Sequence, residues 1–203
     1  SIDVIFDAID LTDHQRDSSN FDKKVVVFGC LAERYFQEIE KEIPEIDFLY
    51  TLFDENIVER ISNAFNIKIS QPIEYNQKPL VSDLPYAYVK IAEGCSNFCS
   101  YCSIPIIRGN FKPYPPEVII RDVKNAILNG AKEIILVSQD LTSYSYNTTS
   151  LVQLVNEISN ISGVFWIRLM YCHPDHISDE LIHLIATNNK IVKYIDIPFQ
   201  HVS

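Results

Sequence analysis

Three of the five cysteines of this chain lie within eight residues, at Cys95, Cys99 and Cys102, with spacings of four and three. Thiolates at such spacings can bind one metal centre from a single loop, and soft sulfur ligands select iron-sulfur clusters and zinc. A closed structural zinc site needs a fourth ligand nearby, whereas the next downstream histidine is His173. The pattern therefore favours a metal centre with one open coordination position. A zinc knuckle or a disulfide knot is the alternative, although so few cysteines are not typical of a disulfide scaffold.

The composition is that of a globular protein. Hydrophobic residues make up 47% of the 203 residues, which is enough for a packed core in one large domain or two small ones. No apolar run approaches the roughly 18 residues of a membrane-spanning helix, and the first residues lack a signal-peptide pattern. We therefore expect a cytoplasmic protein without a membrane partner, in a reducing compartment that suits clustered thiols.

The formal net charge is −10 at pH 7. Such a charge repels phosphate backbones, so a basic protein is a more natural partner than a nucleic acid. The alternative interpretation is an acidic surface that serves solubility alone.

Apolar spacing predicts a small α/β domain over residues 1–70. Its elements are a helix over 1–11, a buried strand over 24–30 that ends at Cys30, helices over 32–43 and 54–65, and a short apolar segment over 48–50. Residues 71–84 contain Pro72 and Pro79 among polar residues, which neither a helix nor a central strand tolerates. We interpret that segment as an interdomain linker.

From residue 85 to residue 203 strands alternate with helices. Strands are predicted over 86–91, 133–138, 164–171 and 194–198, and helices over 115–129, 150–161 and 178–187. Repeated strand-helix-strand units form a parallel sheet or barrel, whose ligands gather at the carboxyl ends of the strands. The predicted fold class is therefore α/β, with a partial (β/α) barrel behind the small α/β domain.

Polar residues follow these strands or interrupt them. Ser138, Gln139 and Asp140 come after the second strand, where ordinary turn chemistry is the alternative to ligand binding. Asp196, Gln200 and His201 cluster at the last strand, where capping is the alternative. Arg168 lies inside an apolar strand and must be paired, with a bound carboxylate or in a salt bridge to Asp196 or Glu93.

Residues 88–144 and 166–203 resemble the methylthiotransferase branch of the radical S-adenosylmethionine enzymes. The motifs that carry the resemblance are Glu93-Gly94-Cys95, Tyr101-Cys102-Ser103-Ile104-Pro105, Arg108-Gly109 and the helix over 115–123. The resemblance implies that Cys95, Cys99 and Cys102 hold a 4Fe-4S cluster whose open iron is chelated by S-adenosylmethionine. One electron from the cluster would cleave S-adenosylmethionine to a radical that abstracts hydrogen from an unactivated carbon.

The resemblance also implies a set of cofactor-binding residues. Tyr101 would meet the adenine, unless it only packs in the barrel. Ser138, Gln139 and Asp140 would bind the methionine amine or the ribose, and Arg168 the carboxylate. Asp196 and Gln200 would complete the site at the last strand.

Gly29-Cys30-Leu31 resembles the third cysteine motif of the amino-terminal domain in that branch, which binds an auxiliary 4Fe-4S cluster. Without the resemblance, Cys30 is a small core residue. The other two cysteines of that domain have no counterpart in the chain, so we expect it not to complete turnover alone.

Two stretches distinguish types within the branch. Residues 138–144, Ser-Gln-Asp-Leu-Thr-Ser-Tyr, and 196–201, Asp-Ile-Pro-Phe-Gln-His, resemble the type that methylthiolates the β-carbon of an aspartate in a small-subunit ribosomal protein. That type implies a basic ribosomal protein as substrate and an electron donor protein as partner. The alternatives are a tRNA adenosine methylthiotransferase, which would make tRNA the partner, and a non-catalytic iron-sulfur or zinc module.

The remaining cysteine and several histidines are not predicted to be ligands. We interpret Cys172 as a packed thiol. We expect four histidines to be solvated or to cap helices, namely His14, His173, His176 and His183.

Overall fold

The computed structural model describes residues 2–16, 23–54, 56–68, 84–163 and 165–200. Contacts among them define two compact units, one within Ser1–Pro72 and Ile106–Arg108 and the other within Ile73–Pro105 and Gly109–Ser203. Apart from Leu84, the linker predicted over 71–84 lies outside the described residues, and so does His201.

The first unit is a small α/β structure. Its elements are α1 (Ile2–Arg16), β1 (Val26–Phe28), α2 (Cys30–Arg34), α3 (Phe36–Glu42), β2 (Phe48–Tyr50) and α4 (Ile57–Ala64). Strands β1 and β2 pair in parallel, and α1 and α3 contribute Ile5, Ile9 and Ile39 to one buried cluster. The single helix predicted over 32–43 is instead two helices, because Tyr35 leaves helical geometry at φ −126° and ψ 34°.

The second unit is built on a sheet of four parallel strands in the order β10-β9-β6-β3. Its elements are β3 (Tyr86–Lys90), β4 (Ala92–Glu93), α5 (Ile104–Arg108, of which the last three residues group with the first unit), β5 (Lys112–Pro113), α6 (Pro116–Leu128), β6 (Glu133–Val137), β7 (Ser145–Tyr146), β8 (Thr149–Ser150), α7 (Leu151–Ser159), β9 (Trp166–Leu169), a short 3-10 turn (Pro174–His176), α8 (Asp179–Thr187) and β10 (Ile191–Ile195). The predicted alternation of parallel strands and helices is confirmed, and it is the architecture of a partial barrel.

Helices α6, α7 and α8 pack with one face of this sheet. Alternate strand residues such as Val89, Leu136 and Ile167 point into the shared core. Tyr88 and Trp166 lie on the other face and are exposed. Helix α7 begins with a complete capping box, in which Ser150 and Gln153 satisfy each other's backbone N–H groups. In the described part of the chain, we find no helix with the length and apolarity that a bilayer crossing requires.

The register of the sheet brings the strand ends together. Val137 and Leu169 are the last residues of neighbouring strands β6 and β9, and Ile195 is the last residue of the edge strand β10. Because all four strands run the same way, the segments that follow them emerge at one edge of the sheet. The residues predicted to form the site after β6 and β10 therefore lie at that common edge, together with the cysteine loop after β3 and β4.

Three local features differ from the predictions. Strand β10 covers residues 191–195 rather than 194–198, because Ile191 is the buried residue that pairs with Ile167 and Pro198 has no N–H to donate. The antiparallel pair β7 and β8 lies between the second predicted strand and the helix predicted from residue 150, where no strand is predicted. The segment after the cysteines forms the short helix α5.

Truncation of a central strand side chain should destabilise the second unit far more than truncation of an exposed one. Leu136 is fully buried in β6, whereas Leu128 at the end of α6 is 84% exposed. We expect Leu136→Ala to lower the free energy of unfolding by about 2–5 kcal/mol, and Leu128→Ala by less than about 0.5 kcal/mol. Urea unfolding of both variants measures this, and equal losses would contradict the described packing.

Candidate metal and cofactor site

The cysteine loop is held in shape by a close backbone approach at Gly94. This residue has φ +72°, and a Cβ atom added there would lie 2.3 Å from the carbonyl oxygen of Asn110. The next N–H, that of Cys95, donates to the carbonyl oxygen of Gly109 at 3.1 Å. Only glycine fits both the left-handed backbone and the missing space. The loop is thereby fixed to the chain that returns through the antiparallel pair of β4 and β5.

All three cysteines of the loop line one cavity of about 190 Å³ at the carboxyl edge of the sheet. The loop, the segments after β6 and β9, and the segment after β10 contribute the described lining residues, which are Cys95, Asn97, Cys99, Tyr101, Cys102, Ile104, Gln139, Tyr171, Cys172, His173, Pro198 and Gln200. Cavities of drug-sized ligands measure roughly 300–1,000 Å³, so this one would enclose only part of a nucleoside cofactor. Grooves of about 540 to 590 Å³ lie on the outer helices instead.

The thiols suit a cluster better than a preformed single-ion site. Among the described residues, no three His, Cys, Asp or Glu side chains form a group that could hold one metal ion. Each thiolate of a cluster binds a different iron atom, so a cluster requires only that the thiols border one space. Burial raises the pKa of the Cys95 thiol, with smaller effects of the same sign from Asp140, Cys102 and Cys99. Positive charge on bound iron would reverse that effect.

Asp140 is the hub of the polar network beside the cavity. Its carboxylate is 2% exposed. It accepts hydrogen bonds from Asn97 Nδ2 at 2.8 Å, from Thr142 Oγ1 at 2.6 Å and from Ser143 Oγ at 2.5 Å. His176 Nδ1 lies 2.8 Å from the same carboxylate. Burial raises the pKa of Asp140, but these hydrogen bonds outweigh it and lower the pKa to about 2.

Asp140 differs from the other two residues of the predicted Ser138-Gln139-Asp140 site, because protein groups already occupy the hydrogen-bonding positions of its carboxylate. Its contacts are internal to the protein, which is the turn chemistry considered as the alternative. In the described part of the chain, Gln139 Oε1 and Ser138 Oγ are buried and have no hydrogen-bond partner. Gln139 lines the cavity and Ser138 does not. An unpaired acceptor beside the thiols is a fit for the amine or hydroxyl donors of a cofactor.

Tyr101 and Gln200 meet across the mouth of the cavity. The Tyr101 hydroxyl donates a hydrogen bond to Gln200 Oε1, and Gln200 Nε2 donates to the Pro198 carbonyl at 3.2 Å. Tyr101 is 70% exposed, so it does not serve as packing in the barrel core. The structure therefore brings these two predicted cofactor residues to the cavity, and their roles there stay predictions.

The segment after β9 supplies one wall of the cavity. Tyr171 has φ 63°, a conformation that non-glycine residues rarely adopt. Its N–H donates to Asp196 Oδ2 at 3.0 Å, and the next N–H, of Cys172, donates to the Asp196 carbonyl at 2.9 Å. Asp196, the residue after β10, thus holds this wall and is not itself among the described lining residues.

Cys172 is a buried thiol, as predicted. It is 1% exposed. Burial, with smaller contributions from Asp140 and Asp196, raises its pKa to about 12. Burial of this depth agrees with the interpretation of Cys172 as a packed thiol.

Arg168 lies away from the cavity, and both of its predicted salt-bridge partners were wrong. Its guanidinium Nε donates to the carboxylate of Glu133 and lies 5.3 Å from the centre of the Tyr194 ring. Glu93 pairs with Lys90 instead. Glu133 opens the neighbouring strand on the same face of the sheet, two residues before the partner of Arg168 in the register. These contacts give no support to binding of a cofactor carboxylate.

Cys30 belongs to the first unit, where it opens α2 after Gly29. Its side chain is half-buried, and it is not a member of the buried cluster of that unit. It therefore does not fit the alternative of a small core residue. Its role as a ligand of an auxiliary cluster stays a prediction.

Sequence reasoning missed the contributions of Asn97, His173 and His176. His173 caps the 3-10 turn, as histidines were expected to do, because its Nδ1 accepts the N–H of Asp175. It also lines the cavity, with Nε2 at 4.0 Å from Cys99 Sγ. Asn97 could have drawn attention because it lies between two cysteines. No spacing pattern connects the two histidines to the loop.

The family model of the Radical SAM superfamily matches residues 89–203, the stretch that contains the cysteine loop and the three other segments around the cavity. The chain belongs to this superfamily.

Several curated relatives that share one name align with nearly the whole chain. The ribosomal protein uS12 methylthiotransferase RimO of Thermotoga maritima is 41% identical over 210 residues, which cover 100% of this chain and 47% of the relative. The RimO protein of Petrotoga mobilis is 43% identical with the same coverage. That of Thermodesulfovibrio yellowstonii is 45% identical over 186 residues, which cover 89% of this chain and 43% of the relative. The radical SAM chain thus spans about half the length of the curated relatives it matches.

The loop geometry predicts a specific sensitivity at Gly94. We expect Gly94→Ala to lower the free energy of unfolding by about 2–4 kcal/mol and to reduce iron retention, because the added methyl group meets backbone that cannot move aside. The control is Gly130→Ala, which also has a positive φ (+95°) but has nothing within 4 Å of the added Cβ. Its cost should be about 1 kcal/mol. Equal effects of the two variants would contradict the close approach.

The lowered pKa of Asp140 predicts that the free energy of unfolding depends on pH. The pKa of Asp140 is lower in the folded chain than its ordinary value of 3.8, so its ionisation stabilises the fold above that value. The stabilisation is lost as pH falls towards about 2, and it amounts to about 2 kcal/mol. Urea unfolding should therefore show the difference between the unmodified chain and Asp140→Asn shrinking from pH 6 to pH 2.5. For the exposed Asp10→Asn it should stay small throughout. A difference for Asp140→Asn that is independent of pH would contradict this account.

Proposed function

We propose that this chain is the radical half of a methylthiotransferase that modifies the β-carbon of an aspartate in ribosomal protein uS12. One observation carries the proposal, namely that Cys95, Cys99 and Cys102 border a single cavity that also holds the unpaired oxygen of Gln139. The named relatives support the substrate, since each is a uS12 methylthiotransferase.

In this proposal the three cysteines hold a 4Fe-4S cluster and leave one iron open for S-adenosylmethionine. Gln139 would accept a hydrogen bond from the cofactor, while Tyr101 and Gln200 border its path of entry. When bound, the cluster and S-adenosylmethionine would supply the one-electron chemistry that activates an unreactive carbon, which the acids and bases of a protein cannot do.

The protein's own part is orientation and exclusion of water. Asp140 fixes the loop through Asn97, and Asp196 fixes the opposite wall through the N–H of Tyr171. Ser138 is buried and is not among the described lining residues of the cavity, so it would not contact the cofactor directly. Fixed walls of this kind limit the loss of entropy when a cofactor and a substrate are brought together.

The wider arrangement belongs to the same proposal. Cys30 would bind the auxiliary cluster together with cysteines that this sequence does not contain. The net charge of −10 would favour a basic ribosomal protein over tRNA through electrostatic attraction. An electron donor protein and a cytoplasmic location follow from the cluster and the ribosomal substrate.

A second candidate function is a non-catalytic zinc module. It is favoured by the position of His173, whose Nε2 lies 4.0 Å from Cys99 Sγ. The described side chains do not form a single-ion site as they stand, so zinc binding would require the three thiols to move closer to that nitrogen. Metal analysis after anaerobic reconstitution distinguishes the two, because the module would retain about one zinc per chain and would not take up iron.

The substrate is tested by exchanging Cys99 for Ala in the chromosomal gene of the host. We expect the methylthio mass increment on uS12 to disappear, because the cluster would lose one ligand, while the methylthiolated adenosines of tRNA stay unchanged. A matched His183→Ala strain, which alters an exposed side chain of α8 away from the cavity, should keep the increment. Intact-mass spectrometry of uS12 and nucleoside analysis of tRNA measure both. Loss confined to tRNA would instead support the adenosine enzyme, and no change in either would support the non-catalytic module.

A further inference from the structure

The imidazole of His173 faces the sulfur of Cys99 inside the cavity. Its Nε2 lies 4.0 Å from Sγ, and its side chain is 13% exposed. The two residues come from different segments, since Cys99 is in the loop after β4 and His173 follows β9. The sheet thus brings the Nε2 atom of His173 next to the sulfur of Cys99, one of the three proposed ligands.

The second ring nitrogen indicates which atom carries the proton. The backbone N–H of Asp175 donates to His173 Nδ1 at 3.4 Å, and the Asp175 carboxylate oxygen is more distant at 3.9 Å, so we assign Nδ1 as the acceptor. In a neutral imidazole the proton then lies on Nε2, the atom that faces the sulfur. A metal ligand at Nε2 would require the proton on Nδ1, where the N–H of Asp175 already points. The arrangement therefore favours a hydrogen-bond donor over a fourth ligand.

We propose that His173 is a positioning residue that donates its Nε2–H to the Cys99 sulfur of the bound cluster and thereby raises the reduction potential of that cluster. This inference rests on the proposed function, since it requires a cluster on Cys95, Cys99 and Cys102. It gives His173 a role that neither the cysteine spacing nor the polar residues after β6 and β10 predict.

The backbone of His173 is held for this role. Its N–H donates to Thr142 Oγ1 at 2.9 Å, and that hydroxyl donates to Asp140 Oδ1 at 2.6 Å. His176, whose ring centre is 5.1 Å from that of His173, contacts the same carboxylate. Because Asn97 of the cysteine loop also donates to Asp140, one carboxylate fixes both the donor and the loop that carries the acceptor.

The expected effect follows from charge. A reduced cluster carries one more negative charge than an oxidised cluster, and part of that charge lies on the ligand sulfurs. A hydrogen bond to a charged acceptor is stronger than one to a less charged acceptor, so the donor stabilises the reduced form more. Hydrogen bonds to sulfur are one of the properties that set the potential of iron-sulfur proteins. Removal of the donor should therefore make the cluster harder to reduce.

Two substitutions separate this role from the capping role of the same residue. His173→Asn keeps a short side-chain acceptor for the N–H of Asp175, as good N-cap residues do, but cannot reach the sulfur. His173→Gln places an amide donor near the position of Nε2. The control is His183→Asn, which changes an exposed histidine of α8. Each reconstituted chain is titrated with reductant while its electron paramagnetic resonance signal is recorded, and thermal unfolding checks the fold.

We expect His173→Asn to lower the equilibrium constant for one-electron reduction about tenfold, which corresponds to a midpoint about 59 mV more negative. His173→Gln and His183→Asn should stay close to the unmodified chain. An unchanged midpoint in His173→Asn, or the same shift in Asn and Gln variants, would overturn the inference and leave the proposed function intact. Loss of iron from a His173→Asn chain that unfolds normally would also overturn it, since His173 would then be a ligand. Failure of the unmodified chain to bind a cluster would overturn the proposed function itself.

Discussion

The buried carboxylate of Asp140 is the interaction on which the site depends. It joins three segments that are distant in sequence, because it accepts hydrogen bonds from Asn97 in the cysteine loop and from Thr142 in its own turn, and contacts His176 after β9. A buried charge is tolerated only when it is well paired, and these partners provide the pairing. Short loops at a sheet edge would otherwise move independently. The shared carboxylate instead fixes the loop that presents the thiols relative to the wall that faces them.

The parallel sheet explains why one carboxylate can have this effect. All four strands deliver their following segments to the same edge, so a side chain after β6 can contact partners from both neighbouring strands. The backbone at Gly94 and the left-handed Tyr171 then complete the cavity, one on the cysteine loop and one on the opposite wall. Positive-φ residues on the cysteine loop and on the opposite wall thus lie where the chemistry is proposed, as is common for functional sites.

Much of this arrangement could be predicted from the sequence, because local patterns carry it. The cysteine spacing, the alternation of strands and helices, and the position of Ser138, Gln139 and Asp140 at a strand end needed no knowledge of distant contacts. The orientation of those three side chains could not be predicted in this way, because it depends on distant contacts. Asp140 faces Asn97, which is 43 positions away in the sequence, whereas Gln139 faces the cavity. The contact of His173 with Cys99 spans 74 positions. Periodicity does not carry such information, and the same limit explains the wrong partners of Arg168.

The central claim is that the three cysteines hold a cluster with one iron open to S-adenosylmethionine. It is tested most directly by the electron paramagnetic resonance spectrum of the reduced, reconstituted chain, recorded with and without S-adenosylmethionine. We predict about four iron atoms per chain and a spectrum that changes when S-adenosylmethionine is added, because the added ligand alters the open iron. A chain that binds about one zinc, or a cluster whose spectrum is the same with and without S-adenosylmethionine, would contradict the claim.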